Sequence, residues 1–510
     1  IQGTLTLNGN NVRAQGFNLS TGASTGINDA TSAVSGVTVN EVSVTSSTGT
    51  ALSLSNLNGT ISLISVSANG ATNGIVLNNT AGSFTVTGTG AADSGGTIQN
   101  TTGADNTTNG IGVYLSSAQN VSLSWMRISN HPNFAIRGDN VTNFAMDRVV
   151  VSGANGNNAA ATPREASVLF NGLFGTSSMT NSTISGGIED NIRIENTTAT
   201  PLNSLTVSGS GGTSSTCQIL NNSTVSGNIG FRLAGFNNAN MTVTVTGCLF
   251  RGNRTDAINI DAANTSTVTS TVTNNTIIAG TGGANQGNLG INVTSGATGQ
   301  HNYTVSNNQV GTDGATPAPL LNTGINLFSG NGSTLGSTSI GFVQSNTVRN
   351  AGTGSGHGIQ IFQDLTSTLR TNVNANSVSN VALDFGLRVE GAGDPNGAGG
   401  SIQAGVTNNN VSVLPSALDS IRVRSRRQIA LCSEIRANTT NAGGTNGGFF
   451  GLFTNQANTS TFSIEGLALG AQTAAAAQAY LGGQNPAAAT ISATAATNYT
   501  GVAANTCAIP

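Results

Sequence analysis

The chain contains no lysine, and all 17 of its basic residues are arginine. Charged residues of both signs fill only 7% of 510 positions, against roughly a quarter in an average soluble protein. With a net charge of −3 there is no basic field to hold nucleic acid, and the cationic, aromatic-lined grooves of single-strand binders are missing too. No apolar run approaches the ~20 residues that a membrane-crossing helix needs. Prolines number only 9, too few for a proline-rich linker or a disordered polymer. Aromatic residues are scarce at 4%, and low charge with few aromatics also describes disorder. Against that stands a 37% hydrophobic content, concentrated in Val, Ile and Leu at regular places.

What fills the chain instead is Gly, at 68 residues, with Asn, Thr and Ser. Short apolar doublets recur: Ile111-Gly112-Val113, Ile192-Arg193-Ile194, Phe231-Arg232-Leu233, Ile258-Asn259-Ile260, Ile291-Asn292-Val293, Ile325-Asn326-Leu327, Ile359-Gln360-Ile361, Leu387-Arg388-Val389 and Ile421-Arg422-Val423. Each reads as a strand with one face inward. A second register interleaves with the first, placing an asparagine before a short strand at Asn222, Asn275, Asn308, Asn346, Asn376 and Asn409. Asparagine tolerates left-handed backbone and suits a corner; stacked turn upon turn, such residues would form internal amide ladders. A third set of strands precedes these corners, as in Thr242–Val245, Thr271–Thr273 and Tyr303–Val305.

Three short strands per repeat of roughly 30 residues predict a repeat architecture in which each turn pairs with its neighbours. The expected fold is all-β, a single-stranded parallel β-helix of about 13–15 turns over residues 1–435. Weaker alternation at Leu5–Leu7, Val37–Val39 and Ile61–Leu63 extends it to the N-terminal region, with insertions expected at 90–108 and 153–166. Residues 436–510 read as a cap or assembly segment, irregular apart from a short helix over Ala474–Tyr480 stopped by Gly482-Gly483. The chain begins at Ile1 rather than Met, which fits a leader removed or lying outside this sequence.

The doublets, the asparagine corners and turns such as Phe250-Arg251-Gly252-Asn253 resemble the bacterial right-handed parallel β-helix repeat proteins over roughly residues 1–430. The resemblance implies a right-handed coil and leaves function open, since that architecture serves adhesins, autotransporter passengers, filaments and polysaccharide-degrading enzymes. Gly356-His357-Gly358 resembles the Gly-His-Gly of polygalacturonases, with Arg422-Val423-Arg424 about where their Arg-x-Lys would fall. Glycoside hydrolysis needs two carboxylates, yet no Asp or Glu lies between Asp313 and Asp364, so His357 is expected as a surface residue at a turn entry. A lyase would need clustered carboxylates beside a base. The candidates are scattered: Asp147, Glu189-Asp190, Asp256, Asp261, Asp384, Glu390 and Asp394, with Arg254 and Arg388 as structural partners. Neither a catalytic residue nor a metal or cofactor site is therefore expected.

Cys217, Cys248, Cys432 and Cys507 have no metal-site spacing and fit two disulfides in an oxidising compartment. Cys217 and Cys248, about one repeat apart, would face each other on adjacent turns, leaving Cys432 and Cys507 to tie the C-terminal segment. Arg422, Arg424, Arg426 and Arg427 form the one charge run, read as a solvated strand guarding a sheet edge or as a docking site. Sequons at Asn18, Asn58, Asn120, Asn140, Asn196, Asn253, Asn292, Asn302, Asn331 and Asn498 are open to glycosylation in a secreted chain. The expectation is a non-enzymatic extracellular structural protein, self-associating head to tail as a filament through Ile1, Leu5 and Leu7 at one end and Phe449, Phe450 and Phe453 near the other. The alternative is an adhesin or passenger contacting glycans or cell surfaces.

Overall fold

The computed structural model describes residues 1–510 except 30–32, 159–163, 211–215, 221–228, 279–286, 312–321, 331–335, 352–355, 394–398, 442–448, 455–459 and 494–498. Asn222, Asp394, Asn331 and Asn498 lie outside the described residues. The fold is an all-β solenoid of parallel strands. It divides into two compact units, Ile1–Leu233 with Asn240–Arg254, and Ala234–Ala239 with Thr255–Pro510.

In the first unit each turn contributes to three columns of stacked strands. Leu5, Ile27, Leu52, Ile75, Val113, Ile136, Val168 and Ile192 succeed one another in register along the first column. From Ile27 to Ile192 all are buried, and each such side chain contributes roughly 1.5–3 kcal/mol on burial. Nine turns stack among the described residues of this unit, helped by short turns such as Leu5 to Ile27 and Leu52 to Ile75. Four strands, among them Phe134–Asp147 and Ala166–Thr180, bend round a corner and serve two columns. The insertions are smaller than the sequence implies. Gly96–Gln99 is a third-column strand that buries Ile98, and Val150–Asn155 runs into the second expected loop and buries Asn155. Their Gly, Asn and Thr content masks the single apolar residue each turn needs. The disulfide Cys217–Cys248 joins adjacent turns just before strands Gln218–Leu220 and Leu249–Arg251, with Cα atoms 4.7 Å apart.

The second unit stacks eight turns among its described residues. The aligned doublets fall in one register: Ile258, Ile291, Ile325, Ile359, Leu387 and Ile421, with Phe450 and Ile491 after them. Glycine before several doublets has a steric cause. A Cβ on Gly324, Gly358 or Gly386 would fall 2.4, 2.3 or 2.3 Å from the Cγ1 of Val348, Val378 or Val411, so the third-column valine packs where a side chain would stand.

The asparagine ladder forms in this unit. Asn275, Asn308, Asn346, Asn376, Asn409, Asn438 and Asn485 make six links; in each, one Oδ1 accepts both the backbone N–H and the side-chain amide of the preceding asparagine at 2.9–3.1 Å. The Nδ2 of Asn308, Asn346, Asn376, Asn409 and Asn438 also donates to the carbonyl of Val272, Val305, Val343, Val373 or Val406. Just before them Asn274, Asn307, Ser345, Ala375, Asn408 and Ala437 are left-handed, with φ near 55°. That conformation turns the chain so that the next amide points inward.

Parallel pairing continues past Ile435 through Phe449–Thr454, Thr461–Glu465, Thr490–Ala493 and Tyr499–Val502. The helix runs Ala474–Gln484 and is not stopped by Gly482-Gly483. Its N-cap Thr473 accepts from the Ala476 N–H, and Asn485 ends it by bonding Leu481 while closing the amide ladder. Strand Gly470–Gln472 pairs antiparallel with Tyr499–Val502 and covers that strand's outer edge. The C-terminal residues then fold back: Cys507 bonds Cys432, and Arg370 Nε donates to the Ala508 carbonyl at 2.6 Å.

Removing one ladder amide orphans the N–H of one neighbour and the carbonyl of another, at ~1–3 kcal/mol each. Asn376→Ala is expected to destabilise the second unit by about 3 kcal/mol in chemical denaturation, with faster amide exchange at residues 343–346. An exposed control, Asn380→Ala, should cost well under a third of that.

Candidate functional site

Several of the sequence candidates, His357, Glu390, Arg422, Arg424 and Arg426, come together on the first column of the second unit. Strand Asp419–Arg426 lies between Phe385–Ala392 and Phe449–Thr454, so its arginines guard no sheet edge. Arg422, Arg424 and Arg426 are half-buried rather than fully solvated. Glu390 is fully buried, and its carboxylate takes Arg388 Nε at 2.9 Å and Arg426 Nη2 at 2.5 Å, with Arg424 at 3.9 Å. Arg422 pairs with buried Asp419 at 2.5 Å, and its guanidinium stacks 4.0 Å above the Phe385 ring. Burial would raise the Glu390 carboxyl, but the hydrogen bond and charge of Arg388, aided by Arg426 and Arg424, outweigh it and hold the group below its usual range. Arg427 alone of the run is exposed, in a left-handed turn.

His357 is buried rather than on the surface. Its ring stacks on Phe385 at 5.2 Å, and Nε2 lies 3.1 Å from Arg388 Nη1. Since the guanidinium only donates, Nε2 must accept. Burial first, then the charges of Arg388 and Arg422, lower its pKa to about 3. A histidine so held is a neutral acceptor over the whole physiological range.

Asp384 is half-buried just before strand Phe385–Ala392, and most of the remaining described candidates are engaged. Asp256 accepts from the side chains of Asn259 and Asn292, and Asp261 accepts from Thr294. Asp190 pairs with Arg193 at 2.6 Å, and Arg193 also reaches Glu195 at 2.5 Å. Glu189 accepts the Glu165 N–H, and the Glu165 carboxylate receives the N–H groups of Asn157 and Asn158. Burial, with a smaller effect from Asp105, pushes Glu165 up to about 7. Among the described residues no group of three or more His, Cys, Asp or Glu is placed to hold a metal ion. Of the sequons, Asn196, Asn253 and Asn292 are buried and unavailable to a glycan in the folded chain. Leu7 is buried in the first turn while Ile1 is exposed, and Phe449, Phe450 and Phe453 lie on a strand paired on both sides.

Sequence reasoning passed over Trp125, the only tryptophan of the chain. It lines a depression of about 470 Å³ in the first unit with Arg148, Asp93 and Asn181. The available signal was a bulky aromatic at a corner that in most other turns carries Asn or a small residue.

Compared with known proteins, the chain matches no family model, no curated protein and no solved structure.

Two measurements check these assignments. Glu390→Gln leaves three guanidinium groups without their anion and is expected to cost about 3 kcal/mol in denaturant titration, whereas Arg427→Ala should be nearly neutral. Burial also lowers the pKa of His131 to about 3 and of His301 to about 4. These folded values lie below the unfolded value of 6.5, so the stabilisation is complete above pH ~6.5 and is lost as pH falls toward 4. At pH 4 each buried histidine costs about 3 kcal/mol. The melting temperature should therefore drop between pH 6.5 and 4.5, and His301→Gln should reduce the drop.

Proposed function

We propose that the protein is a non-enzymatic extracellular structural protein, a β-solenoid that serves as a surface or matrix element. The observation that carries this reading is the closure of the charged groups at the His357 and Arg422–Arg426 face. The histidine is buried and neutral, and the carboxylates beside it are bound to arginine. A sugar-cleaving site needs a titratable acid and base free to reach substrate, and this face offers neither. The two disulfides fit an oxidising compartment.

The C-terminal end bears on how copies would associate. Strand Gly470–Gln472 covers the edge of Tyr499–Val502, Asn485 closes the amide ladder, and the tail is stapled to its own chain. Those features argue against end-to-end stacking through the tail and leave lateral contacts as the reading to test. A monomeric adhesin is the second reading, favoured by the depression around Trp125.

Purified protein incubated with a panel of neutral and acidic polysaccharides should release neither reducing ends nor unsaturated products. Electron microscopy over a concentration series should show separate particles or side-by-side bundles. Turnover that disappears in His357→Ala would overturn the non-enzymatic reading, and single-file polymers lengthening with concentration would overturn the lateral one.

A further inference from the structure

Trp125 occupies the left-handed corner between the second and third columns, at φ 57°. In other turns the same corner holds Arg148, Asn181, Asn274, Asn307, Ser345, Ala375, Asn408 or Ala437. A bulky side chain is disfavoured there, whereas asparagine is enriched. The indole lies half-buried on the outer surface, so it adds nothing to the inner core. Its place is nevertheless made for it. A Cβ on Gly88 would fall 2.8 Å from the Trp125 Cβ and 3.0 Å from Cδ1. A strained corner whose side chain packs on the outer surface, against Gly88 and Arg148, rather than in the core points to function.

The neighbouring turns complete a cleft. Arg148 and Asn181 take the same corner one and two turns on, linked by Trp125 N–H to Asp147 and Arg148 N–H to Thr180. Beside this row runs a second, Arg127, Val150 and Thr183, in register on the strands. Asp93 stands at one wall, Ser210 and Thr216 at the other. The volume of about 470 Å³ is within the range of small-molecule sites, ~300–1,000 Å³.

The electrostatics select the ligand class. Arg148 sits over the indole with its guanidinium carbon 4.9 Å from the ring centroid and is ion-paired with Asp147. Asp147 also accepts from Thr180 Oγ1 and Asn181 Nδ2, and Asp93 is held by Arg127 at 2.9 Å. Each charge in the cleft thus has its opposite, and a charged ligand would have to break a pair. A hydroxyl-rich neutral ligand would not. It can use spare carboxylate lone pairs, guanidinium N–H groups and the hydroxyls while laying a C–H face on the indole.

We propose that the cleft over Trp125 and Arg148 binds an uncharged saccharide segment of an extended polysaccharide. The rows run from turn to turn at the inter-strand spacing of ~4.8 Å, close to the length of one sugar ring, so successive rings meet successive turns. The assignment goes beyond the structural role and stands or falls separately from it, since binding needs no turnover.

Because Trp125 is the only tryptophan, its fluorescence reports this cleft alone. Intact protein is titrated with cello-, xylo-, malto- and chito-oligosaccharides, and with oligogalacturonate as the acidic arm, and calorimetry gives affinities for the variants. Saturable fluorescence change with at least one neutral series is expected. Trp125→Asn should weaken calorimetric binding at least tenfold while leaving the melting temperature unchanged or raised, because Asn181 already accepts that corner. Arg148→Ala, with the indole retained, should weaken binding at least fivefold. Any of four results overturns the proposal: no neutral series binds, only the acidic one binds, Trp125→Asn binds as tightly as the parent, or Trp125→Asn lowers the melting temperature, which would make the indole a packing element.

Discussion

Each strand pairs in parallel with its counterpart one turn away, and this register constrains the rest of the structure. A side chain facing inward in one turn has the same position occupied above and below it, so positions form rows rather than isolated sites. Rows tolerate repetition only when like residues attract. Aliphatic side chains do so through burial, and amides do so because each carries both donors and an acceptor. Charges of one sign do not, which accounts for a chain with 7% charged residues. Where like charges do stack, as Arg388 on Arg422, each guanidinium has its own carboxylate, Glu390 or Asp419, and the Phe385 ring lies beside both.

The repeat was legible because the first-column row and the asparagine row are chemically uniform. Ile258, Ile291, Ile325 and Ile359 share both a sequence motif and a structural register, and the asparagine corners appear as an internal amide ladder. Turns that depend on one apolar residue were not legible. Ile98 anchors a strand inside a stretch whose composition reads as loop, and the glycines within the helix are overridden by Asn485, whose ties to Ile435 and the ladder fix the helix end. Alternation showed correctly that Arg422 and Arg424 point away from the core, yet it could not show that partners on the preceding strand enclose them. His357 failed for the same reason: its ring is covered by Phe385 and Arg388, which are distant in sequence.

The absence of lysine acquires a physical reading from these contacts. Arg148, Arg388 and Arg422 lie over aromatic rings, and Arg193 bonds Asp190 and Glu195 with different nitrogens of one fork. A planar, weakly hydrated guanidinium can do both, whereas an ammonium is a compact point charge that stays hydrated. On a face built of stacked flat groups, arginine suits positions that lysine would fill poorly.

The amide ladder also acts as a module boundary. From Ile291 to Ile325 and from Ile325 to Ile359 the chain advances by the same number of residues, and the first-column row passes through both turns without a shift. Excising or duplicating one such turn would present the first-column and asparagine rows with equivalent neighbours, aliphatic to aliphatic and amide to amide, whereas the second-column row Ser270, Tyr303, Gly341 and Thr371 would have to repack. Recombination between turns would therefore change the number of repeats in a gene with the folding cost concentrated in the second-column row. Tandem expansion and contraction become a low-cost evolutionary route for a chain built this way.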